Sequence, residues 1–102
     1  MKLLTKGILS KLPALGETEG IKDPPVVVKF FDPMGSWTWY VLEYDPKRRM
    51  FYGLVHGFEK ELGGFSLDDL ESIGKKHILG IERDLHWDSK TPLSKVTSGE
   101  RR

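Results

Sequence analysis

At 102 residues and 11.7 kDa, with sixteen basic against fifteen acidic side chains and 38% apolar residues, the chain has material for one hydrophobic core. A two-domain enzyme with an interdomain cleft is excluded, and a net charge of +1 supplies no long-range field for drawing in nucleic acid. With no cysteine there is no disulfide, thiolate metal site or thiol nucleophile, and no apolar run approaches the roughly 18 residues of a membrane span. The stretch from Met1 to Gly7 has no apolar leader core and reads as mature sequence, so a cytoplasmic protein is expected.

Thr5 stands as an N-cap with Leu4 and Leu9 at staple spacing, and Pro13 closes the segment, so a short helix is predicted over about Lys6 to Leu12. Ile8, Leu9 and Leu12 are its apolar face, and Gly7 costs it about 1 kcal/mol relative to alanine. Gly16 to Pro25 is polar and rich in breakers, an exposed connection.

Val26 to Phe31 is β-branched and aromatic and runs into the turn Asp32-Pro33-Met34-Gly35. Trp37 to Tyr44 is a second strand, Asp45 to Arg49 a turn, and Met50 to Val55 a third, together an antiparallel meander. Pairing Tyr44 with Met50 sets Trp39 opposite Val55, Val41 opposite Gly53 and Thr38 opposite His56, with room beside Gly53 for an indole. Gly63-Gly64 reads as a turn. Phe65 to Gly74 carries the strongest helix signal: Ser66 caps, Asp68 and Asp69 sit at the positive end of the dipole, Leu67, Leu70 and Ile73 form the buried stripe, and Gly74 is the stop. Ile81 to Trp87 alternates apolar and polar like a half-buried strand, and the polar tail begins beyond it.

That alternation projects Glu82, Asp84, His86 and Asp88 to one side, successive members about 7 Å apart. The pattern permits a divalent metal on Asp84 and His86 but is equally that of a solvated strand face or a recognition surface for a basic partner. Arg83 interrupts the apolar row, as Glu43 interrupts the row of Trp37, Trp39 and Val41. The pattern is met by a buried Glu43 to Arg83 pair, or by Glu43 as a general base of raised pKa. His56 ends the third strand without the spacing of a zinc protease, and no serine has a nucleophile-elbow sequence. Lys47, Arg48 and Arg49 at a hairpin tip beside Tyr44, Phe51 and Tyr52 suit a nucleic-acid backbone, or simply a solvated turn.

The segments Lys29-Phe30-Phe31, Trp37-Thr38-Trp39-Tyr40, Phe51-Tyr52-Gly53-Leu54-Val55, Phe65-Ser66-Leu67 and Ile81-Glu82-Arg83-Asp84 resemble the bacterial family catalogued as domain of unknown function 2958. The resemblance implies a small cytoplasmic protein often encoded on plasmids, phages or integrated elements, and assigns no catalytic or ligand residue.

The expected fold is α+β: a small, mainly antiparallel sheet of three to four strands with two short helices packed on one face, over residues 1–93, with 94–102 a flexible polar tail. The leading functional reading is a non-enzymatic interaction module of a mobile genetic element, binding another protein and needing no cofactor, metal or membrane. Its candidate contacts are Glu82, Asp84, His86, Asp88, Lys47, Arg48, Arg49, Trp37 and Glu43. The alternatives are a small metal-assisted or general-base hydrolase using Glu43, His56, Asp84 and His86, and a nucleic-acid-binding domain.

Overall fold

The computed structural model describes residues 2–76 and 79–97. Helix α1 spans Lys6–Lys11, and the short strand β1 is Pro25–Val26. Strands β2 (Val28–Phe31), β3 (Thr38–Asp45), β4 (Met50–His56) and β5 (Lys60–Ser66) follow, then helix α2 (Leu67–Lys76). The described chain ends with β6 (Glu82–Arg83), β7 (Thr91–Pro92) and helix α3 (Leu93–Thr97). One antiparallel sheet has the order β5-β4-β3-β2-β6, and β1 pairs with β7 in a second, two-stranded sheet. The α+β class is as expected, but among the described residues the main sheet has five strands, not three or four, and there are three helices, not two.

Thr5 caps α1 by accepting the Ile8 N–H at 3.2 Å, and Ser66 caps α2 by accepting that of Asp69 at 2.8 Å. Both helices lie on one face of the sheet. Ile8 and Leu12 from the N-terminal segment, and Leu67, Leu70 and Ile73 from α2, pack with Leu3, Leu4, Val28, Phe30, Trp39, Val41 and Phe51. Leu9 is 43% exposed and takes no part, so the staple position does not face the core. Gly74 does not stop α2, which runs on to Lys76. Burying a side chain such as Phe30 or Phe51 completely is worth about 1.5–3 kcal/mol, and this face carries eleven of the seventeen buried apolar residues among those described.

The opposite face holds a second cluster of Val26, Tyr40, Leu42, Leu54 and Val96, with Tyr52, Trp87 and Leu93 against it. Its cover comes from residues read as tail. Asp23 accepts the backbone N–H of Ser94 at 2.9 Å and its hydroxyl at 2.7 Å, and Leu93 N–H donates to the Pro24 carbonyl. These bonds hold α3 on the sheet with Val96 buried. Residues 94–97 therefore belong to a helix, and 98–102 lie outside the described residues.

The meander register matches at Thr38↔His56, Trp39↔Val55 and Val41↔Gly53. It then shifts by one residue, so that Tyr44 pairs with Phe51 rather than Met50. Leu42 is the extra residue of a β-bulge. The space beside Gly53 is taken by backbone, not an indole: a Cβ there would strike the Tyr40 carbonyl oxygen and come within 3.1 Å of the Val41 Cα. Gly63-Gly64, expected as a turn, lies inside β5 opposite Gly53 and Tyr52.

Candidate functional site

The bulge decides where Glu43 points. By pairing with Tyr52 it leaves the row of Trp39 and Val41 and joins the second face. There its carboxylate accepts the N–H of Gly16 at 2.8 Å, the N–H of Thr18 at 2.9 Å and the Thr18 hydroxyl. Burial pushes the Glu43 pKa up, but the bonds from Thr18 and Gly16 together outweigh it and hold the carboxyl below its ordinary value. The raised-pKa general base is thereby corrected: Glu43 stays ionised and pins the loop after α1 to the sheet. The expected Glu43 to Arg83 pair is absent because the two sit on opposite faces. Arg83 registers with Phe30, and its guanidinium donates to the Lys2 carbonyl.

The alternation after Ile81 ends early. Only Glu82 and Arg83 are strand, and Asp84 then starts a turn: its Oδ1 accepts the His86 N–H at 2.9 Å and its carbonyl that of Trp87 at 3.3 Å. The turn forms because Asp84 is tied to Lys29 twice. The Asp84 N–H donates to the Lys29 carbonyl at 3.0 Å, and its Oδ2 lies 3.6 Å from Lys29 Nζ. Lys29, 7% exposed, sets its ammonium 5.7 Å from the ring centres of both Phe31 and Trp87. The Trp87 indole in turn donates to the Val26 carbonyl at 2.8 Å.

Glu82, Asp84 and His86 therefore do not share a strand face, yet they line one cleft of about 610 Å³ together with Trp37, Lys29, Phe31, Asp32 and Thr38. Asp88 is not among its walls; it makes a second turn, accepting from Lys90 and Thr91. Among the described residues no three His, Asp or Glu side chains are placed to hold a metal ion. Nor do the hydrolase candidates converge: Glu43 lines a different groove, and His56 ends β4 opposite Thr38.

Trp37, 37% exposed, stands at one end of the sheet, and a Cβ on Gly57 would lie within 2.6 Å of three atoms of its ring. Gly57 is thus what lets the indole lie flat on the backbone. Phe58 packs edge-on to Trp37 with ring centres 5.6 Å apart and is itself 95% exposed. Sequence reasoning passed over Lys29 and Phe58. The lone charge within Val26 to Phe31 was the available signal for the first; nothing marked the second.

Of the basic hairpin tip, Lys47 is exposed, while Arg48 and Arg49 pair with carboxylates. Arg49, with φ +55°, donates to Asp68 at 2.7 Å and Glu71 at 2.9 Å, and its carbonyl accepts the Leu67 N–H. The guanidinium joins the hairpin to α2. Arg48 lies 3.5 Å from Asp45, while Tyr44 and Phe51 are buried against each other with centres 4.6 Å apart, where no base can reach them.

A family model matches residues 3–101, nearly the whole chain. The chain belongs to the family described as protein of unknown function, DUF2958. No match was found among curated proteins or among solved structures. Membership supports the resemblance read from the sequence and brings no assigned chemistry, so the geometry carries the functional argument. No helix of the described residues is long and apolar enough to cross a membrane.

Proposed function

We propose that this protein is a non-enzymatic interaction module that holds a segment of another protein at the Trp37 and Phe58 end of its sheet. The observation that carries this reading is Phe58, 95% exposed and edge-on to a Trp37 ring that walls the cleft. A large aromatic side chain left in water beside a second, half-exposed one is what interface anchors are made of, since a partner that covers the pair removes their apolar surface from water. Beside them the cleft sets three carboxylates, Asp32, Glu82 and Asp84, against two cations, Lys29 and Arg83. A basic residue flanked by an apolar one in the partner complements that arrangement. The cytoplasmic setting and the role as an accessory of a mobile element rest on the family resemblance.

The test uses the full chain as bait in its native host, with Phe58→Ser and Glu82→Lys as variants. Both leave the core intact and are expected to keep the circular dichroism spectrum and melting temperature. Recovery of the specific partner is expected to fall at least about tenfold, equivalent to roughly 1.4 kcal/mol. Wild-type recovery by both folded variants removes this end of the sheet from the interface.

A further inference from the structure

The two edges of the main sheet differ. At one, β6 is two residues long and the chain turns away at Asp84, which leaves almost no backbone to pair. At the other, β5 runs for seven residues, contains no proline, and pairs with β4 without a register shift. Among the described residues no strand pairs with its outer side. Proteins usually blunt so long an edge with a bulge, a proline, charged side chains or a covering element, and of these β5 has only Lys60 and Glu61, both at its first end.

We infer that β5 is the interface of a symmetric homodimer, in which the β5 strands of two copies pair antiparallel and join two five-stranded sheets into one. Full overlap of Lys60–Ser66 about a two-fold axis at Gly63 sets Gly63 opposite itself, Leu62 opposite Gly64, Glu61 opposite Phe65 and Lys60 opposite Ser66. No like charges face one another in that register. Leu62, 50% exposed, and Gly64 both line the groove on the second face. A Cβ at Gly64 would sit 3.6 Å from both the Met50 methyl and the Phe51 carbonyl oxygen, so the glycine leaves room for about one methyl group beside Met50, over which the leucine of the other copy packs, and the symmetry repeats the contact. Nothing lies within 4 Å of a Cβ at Gly63, so the axis itself is unobstructed. Glu82 and Asp84 lie at the opposite edge of the sheet, while Phe58 sits in the turn just before β5; the inference rests on the backbone and side chains of Lys60–Ser66 and not on what binds at the Trp37 and Phe58 end.

Because the chain has no cysteine, Gly63→Cys places one thiol per molecule at the axis, and Ser10→Cys on exposed α1 serves as control. Under mild oxidation the first is expected to give a disulfide-linked dimer and the second to remain a single chain. Light scattering of the wild type is expected to show the mass rising from 11.7 kDa toward twice that with concentration, and Leu62→Lys, folded by circular dichroism, to stay at the single-chain mass. A wild-type mass of one chain up to about 1 mM, where only the weakest association escapes detection, overturns the inference. So does an undiminished dimer of Leu62→Lys, or cross-linking of Gly63→Cys no faster than of Ser10→Cys.

Discussion

The carboxylate of Glu43 accepts both the amide and the hydroxyl hydrogen of Thr18, joining the middle of the central strand to a loop 25 residues earlier. With Glu43 and Thr18 only 3% and 5% exposed, these bonds form away from water and replace hydration that neither group retains. Glu43→Ala strands the two buried donors of Thr18, whereas the Gly16 N–H can turn to water, and a loss of about 1–3 kcal/mol per buried donor is expected in urea unfolding. Because the Glu43 pKa is lowered on folding from 4.5, its contribution is present above about pH 4.5 and disappears as pH falls through the lower folded value. Glu43→Gln is expected to flatten that acid limb of the stability profile; an unchanged profile shows that other carboxylates govern it.

Gly53 and Gly63 face each other across β4 and β5 and are expected to respond oppositely to alanine. The first has the backbone of Tyr40 and Val41 where the methyl would go, so Gly53→Ala is expected to cost at least about 3 kcal/mol. At Gly63 the methyl meets open space, and the change in unfolding free energy is expected to stay within about 0.5 kcal/mol. Equal effects at the two sites contradict the close approach at the bulge.

Trp37 and Trp39 are two residues apart and 6.2 Å between ring centres, but their expected roles differ. Trp39 is 6% exposed in the core, and its replacement by alanine is expected to cost about 3–5 kcal/mol, with partner binding lost through unfolding. Gly57→Ala instead pushes the Trp37 ring off the backbone. Its signature is a shifted tryptophan emission and weaker partner recovery from a protein whose melting temperature is nearly unchanged. Partner recovery unaffected by displacement of Trp37 takes the indole out of the interface.

Arg49 is held protonated still more firmly than an ordinary arginine by its bond to Asp68 and by the charge of Glu71. Arg49→Ala is expected to lower the melting temperature by detaching α2 from the hairpin, an effect that shrinks in high salt. Lys47→Glu with Arg48→Glu is expected to leave the melting temperature unchanged and any weak affinity for DNA unaltered. A steeply salt-dependent affinity that vanishes in that double variant returns the loop to nucleic-acid recognition.

Replacing Glu82, Asp84 and Asp88 together by lysine does not isolate a surface role, because two of the three carboxylates build turns. Asp84 binds the amide of His86 and the ammonium of Lys29, and Asp88 binds the amide of Lys90. Glu82→Lys alone is expected to preserve the fold, and the triple variant to lower the melting temperature. A triple variant as stable as the wild type shows that these turns form without their acids.

What was legible in the sequence is local. The caps at Thr5 and Ser66, the stripe of Leu67, Leu70 and Ile73, and the pairing of Trp39 with Val55 depend on neighbours a few residues away or on one short hairpin, and each appears in the structure. What only the tertiary structure decided follows from contacts between distant segments. The bulge at Leu42 turned Glu43 to the other face, because alternation marks a side chain's face only as long as the ladder keeps step. Lys29 ended the alternation at Asp84 by drawing its carboxylate into a turn, and Asp23 secured α3 from 71 residues away. The β5 strand escaped notice because a Gly-Gly pair reads locally as a turn, and its pairing with Gly53 and Tyr52 exists only once β4 is in place. Periodicity and propensity report what a segment prefers alone; partners fixed by the folded chain decide which of those preferences survive.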